Sequence, residues 1–62
     1  MNEYYTIDKN GNTLLVTNGI QRVVTFATIE NEEWVYIYPT LKEQEKGVQV
    51  VRKLKSQTAR DL

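Results

Sequence analysis

The chain has 62 residues, eight basic and eight acidic side chains, and neither cysteine nor histidine. This excludes disulfide staples, thiol nucleophiles, Cys/His metal centres and the side chain that most often serves as a general base near neutral pH. A chain this short makes one domain, residues 1–62, that buries only about 60% of the surface it exposes when unfolded, so a partner or a second copy would relieve a marginal stability.

Zero formal net charge argues against nonspecific polyanion binding by the chain as a whole, but the charge is unevenly distributed. Residues 1–40 carry two basic against five acidic side chains, and residues 41–62 carry six against three. There is no apolar segment behind a basic start, and no run of about 18 apolar residues. The expectation is therefore a cytoplasmic protein that neither spans a membrane nor is exported.

Two Asn-Gly pairs, Asn10-Gly11 and Asn18-Gly19, separate runs rich in Val, Ile, Leu, Thr and Tyr. Asn-Gly supplies the positive φ angles that tight hairpin turns require. The spacing predicts strands over Tyr4 to Asp8, Thr13 to Thr17 and Ile20 to Ile29. The polar stretch Glu30 to Glu33 then makes a third turn before a strand from Trp34 to Tyr38. A two-residue loop at Asn10-Gly11 pairs Ile7 with Leu14 and Tyr5 with Val16. A three-residue loop around Asn18-Gly19 pairs Val16 with Ile20 and keeps Val24 and Phe26 on the same side.

After Tyr38, Pro39 disfavours helix at the preceding residue, and Thr40 with Glu43 three positions later forms a capping-box pattern. The expected helix runs from about Leu41 to about Ala59. Its apolar arc of Leu41, Val48, Val50, Val51 and Leu54 would pack on the sheet. The fold expected is thus α+β: a four-stranded antiparallel meander followed by one C-terminal helix. The alternative takes Glu45-Lys46-Gly47 as a turn and Val48 to Leu54 as a fifth strand of a small all-β barrel, because Gly47 costs a helix about 1 kcal/mol and valines prefer strands.

Three features could carry function. Glu30, Glu32 and Glu33 are three carboxylates within four residues, but they lack the spaced oxygen ligands and internal glycine of a calcium loop and are expected to be a solvated turn. No nucleotide-binding, hydrolase or metalloprotease signature is present, so no enzyme activity, catalytic residue, metal or cofactor is expected. On the predicted helix, Lys42, Lys46, Arg52, Lys53 and Arg60 would form a basic stripe able to track nucleic-acid phosphates.

The third feature is the strand Trp34 to Tyr38, apolar or aromatic on both sides. Trp34, Tyr36 and Tyr38 point one way, Val35 and Ile37 the other, and one helix can cover only one set. Either the rings are core and Val35 and Ile37 lie half-exposed beside Leu15 and Thr6, or the aliphatic pair joins Ile7, Leu14, Val16, Val24 and Phe26 and leaves the rings outside. A strongly curled sheet would bury both sets in part. An uncovered ring set, with Tyr4, makes a partner-binding face. The expected function is a non-enzymatic protein-interaction or self-association module, with a nucleic-acid-binding accessory protein as the alternative. A short, motif-free chain also suits an accessory protein of a phage or other mobile element.

Overall fold

The computed structural model describes residues 3–58. Five strands, β1 (Glu3–Ile7), β2 (Thr13–Thr17), β3 (Ile20–Ile29), β4 (Glu32–Ile37) and β5 (Val51–Leu54), form one antiparallel sheet in sequence order. A short helix, α1 (Leu41–Glu45), and a 3₁₀ turn, Lys55–Gln57, complete it. The expected α+β meander with a long C-terminal helix is therefore corrected to an open five-stranded sheet with one helical turn. The fifth strand of the alternative does form, later than expected, but β1 and β5 remain edges and no barrel closes.

The helix stops because of Gly47. With Lys46 as C-cap, the Val48 N–H donates to the Glu43 carbonyl at 2.9 Å and the Gly47 N–H to Gln44 at 3.0 Å, while Gly47 takes a φ of 87°. This is the Schellman arrangement, which needs a left-handed residue after the cap and is satisfied by glycine without strain. A glycine read as a defect in a long helix is thus the terminator of a short one. Beyond it, Val51 to Leu54 pair with Ile37 to Trp34, which suits the β-branched side chains there.

Both hairpin registers differ by one residue from expectation. In the first, Ile7 pairs with Thr13 and Tyr5 with Leu15, closing a five-residue loop over residues 8–12. Asp8 organises that loop: its Oδ1 accepts from the Asn10 and Asn12 amides, both at 2.9 Å, and Oδ2 from the Asn12 side chain at 3.2 Å. These bonds, led by the Asn12 amide, hold the Asp8 carboxyl below its ordinary value. In the second hairpin Thr17 pairs with Ile20, and Asn18 and Gly19 have φ of 54° and 79°, a two-residue turn of the kind Asn-Gly favours. The third turn is built the same way from Glu30 and Asn31, with φ of 53° and 65°.

These registers sort the side chains into two faces, since partners across a ladder share a side. Tyr5, Leu15, Arg22, Val24, Phe26, Val35, Ile37, Val51 and Lys53 lie on one face, and Tyr4, Leu14, Val16, Val23, Thr25, Trp34, Tyr36, Arg52 and Leu54 on the other. On the first face Leu15, Val24 and the fully buried Val35 cluster with Tyr5 and Ile37 against them, while Leu14 and Val16 are buried on the second.

The sheet curls around the face of the Leu15, Val24 and Val35 cluster. In a flat sheet Tyr5 on β1 and Phe26, four residues beyond Arg22 on β3, would have Cα atoms about 16 Å apart, yet their rings meet edge to face with centroids at 5.5 Å. The expected grouping of Ile7, Leu14, Val16, Val24 and Phe26 is corrected accordingly. Leu14 and Val16 are buried, but on the opposite face from Val24, while Ile7 is 70% exposed.

Candidate functional site: an aromatic sheet face

The face opposite the Leu15, Val24 and Val35 cluster is a lattice of cross-strand partners. Trp34 stands between Ala27 and Leu54, and Tyr36 between Thr25 and Arg52. Tyr38 continues the ladder by donating its backbone N–H to Val23 at 3.0 Å. Trp34, Tyr36 and Tyr38 are half-buried, and the Tyr38 hydroxyl lies 2.9 Å from Thr25 Oγ1. On β1, Tyr4 shares the face as the partner of Val16. Tyr38 shares a groove with Leu41 and Gln44 of α1, and the 3₁₀ turn brings Lys55 over the Phe26 ring at 5.2 Å on the opposite face.

Arg52 completes the centre of this face. Its guanidinium stacks over Trp34, with Cζ at 4.5 Å from the ring, a geometry in which ring quadrupole and cation attract. The pairing was not legible from β4 alone. It depends on Arg52 lying in a strand beside Tyr36, not on a helix.

Where β3 and β4 approach α1, an open groove of about 600 Å³ extends the face, walled by Val23, Tyr38, Pro39 and Leu41 with Gln21 and Gln44. Leu41 projects from its rim at 79% exposure. The α1 wall is held from the core side. Arg22 Nε donates to Glu43 Oε1 at 3.1 Å, and its terminal nitrogen donates to Oε2. Glu43 Oε1 also accepts the Thr40 amide at 2.9 Å, and Thr40 Oγ1 accepts the Glu43 amide at 3.2 Å. The expected capping box is therefore present, with an arginine added. Arg22, followed by the Thr40 amide, holds the Glu43 carboxyl down at about 2, and Glu43 pushes Arg22 further up.

The expected basic stripe does not assemble, because the helix that would carry it ends at Glu45. Lys42 and Lys46 are exposed at α1, whereas Arg52 and Lys53 alternate to opposite faces of β5. Lys53 lines a cleft of about 290 Å³ on the core side with Glu3, Leu15, Ile37 and Val51. Arg60, with the end of the expected helix at Ala59, lies outside the described residues.

Of the three carboxylates, Glu33 lies 3.9 Å from Lys55 and Glu30 sits in the third turn. Among the described residues no group of His, Cys, Asp or Glu is arranged to hold a metal. No described helix is long and apolar enough to cross a membrane. No family model, curated protein or solved structure matches the chain.

Proposed function

We propose that this protein is a non-enzymatic interaction module that binds protein through the face bearing Trp34, Tyr36 and Tyr38. The observation that carries the reading is the position of the three rings, opposite the Leu15, Val24 and Val35 cluster, with Arg52 stacked on Trp34. Tyr, Trp and Arg are the residues most enriched at interface hot spots, and rings already held in a ladder lose little entropy on binding.

Protein is favoured over nucleic acid because one arginine among uncharged neighbours cannot track a phosphate backbone, which needs several spaced cations. The reading is tested by affinity capture from cells of the source, comparing the wild type with Tyr36→Ser. The expected result is a protein retained by the wild type and lost from the variant while both remain folded by circular dichroism. Capture unaffected by Tyr36→Ser, or retained material that is nucleic acid and depends on Lys42 and Lys46, would overturn it.

A further inference from the structure

We infer that a second copy of this chain docks on the groove beside α1, with Leu41 of each protomer entering the groove of the other. This deepens the reading above, because it rests on the aromatic face being an interface and names an occupant for its α1 end. One patch carries both a projecting leucine and an apolar recess lined by Val23, Tyr38 and Pro39. A two-fold contact requires such a self-complementary patch, in which the knob of one copy meets the hole of the other.

Charge points the same way. A two-fold axis brings like groups together, so an isologous contact tolerates few unpaired charges. Gln21, Val23, Thr25, Tyr38, Leu41 and Gln44 are uncharged, and the groove's one ionic side chain, Arg22, is held by Glu43. A charged partner would find nothing there to pair with. Zero net charge also removes the long-range repulsion that keeps small domains apart. A contact built on one leucine and a shallow groove is small, so the dimer is concentration-dependent.

Sedimentation equilibrium of the purified chain tests this. The wild type should move from 7.3 kDa toward twice that mass as concentration rises through about 1–100 µM, the range of weak contacts. Leu41→Asp should remain monomeric throughout with an unchanged circular dichroism spectrum. Ile7→Asp, which alters a comparably exposed side chain on the core face, should dimerise like the wild type.

A wild type that stays monomeric, a Leu41→Asp variant that still dimerises, or an Ile7→Asp variant that also loses the dimer would overturn the proposal. The last result would signify nonspecific apolar association. If the wild type is monomeric while Tyr36-dependent capture of another protein persists, self-association alone fails and the binding face stands. Loss of Tyr36-dependent capture with the dimer intact would remove the wider reading instead.

Discussion

Glu43 joins a helix cap, a strand and the wall of the groove through one carboxylate. It accepts from Arg22 on β3 and from the Thr40 amide, and its folded value of about 2 lies below the ordinary 4.5. A group whose value falls on folding contributes stability that is complete above its unfolded value and is lost as pH falls toward the folded one. Wild-type denaturation midpoints should therefore drop between pH 4.5 and about 2. Glu43→Gln, which cannot ionise, should be less stable than the wild type at pH 7 and should lose less over that window. Urea titrations at several pH values read both slopes, and parallel slopes would show that the carboxylate is not held in solution.

At this scale the Thr40 and Glu43 box was legible because its spacing is local. Arg22 was not, because nothing within residues 40–43 points to a cation 21 positions earlier in the chain. The aromatic set was legible as a set, since alternation alone places Trp34, Tyr36 and Tyr38 together. Which side they take depends on β3 and β5, hence on registers.

At the scale of elements, the turns decide the fold. Gly47 has a φ of 87°, and a side chain added there would meet nothing within 4 Å. Gly47→Ala should therefore destabilise by about 1–2 kcal/mol through backbone strain alone. Thermal unfolding checks this, and an unchanged or raised midpoint would show that the Schellman turn does not define the end of α1. Expecting a long helix from the segment's Leu, Lys, Glu, Gln and Arg and its capping box weighs these above Gly47 and the three valines that follow it. Propensity favoured continuation, but a left-handed cap followed by β-branched residues terminates it.

The hairpin registers were missed for a different reason. Reading Asn10-Gly11 as a two-residue loop overlooks the five-residue loop that Asp8 organises, and in the second hairpin apolar matching assumes one buried face on β2, whereas Leu14, Leu15 and Val16 are buried on both sides. Alternation carries no register information where consecutive residues are all covered. Here turn chemistry determines it: the Asp8 loop in one hairpin and the two positive φ angles of Asn18-Gly19 in the other.

The whole molecule is a curled, open sheet with an aliphatic cluster of Leu15, Val24 and Val35 on one side and, on the other, half-buried rings beside the buried Leu14 and Val16. The existence of a two-faced strand in an undersized chain was visible in the sequence. Curl was one of three alternatives open in the sequence, and nothing local selects it, because it follows from contacts such as Tyr5 with Phe26, 21 residues apart. The most direct test is a matched pair of denaturation curves for Val35→Ala and Tyr36→Ser, recorded at a concentration where the chain is monomeric. Val35 is fully buried, so its truncation should cost about 2 kcal/mol, while Tyr36→Ser, at a half-buried position one residue away on the other face, should cost less. Equal or greater loss at Tyr36 would mean that the rings are core, and the binding face would not exist.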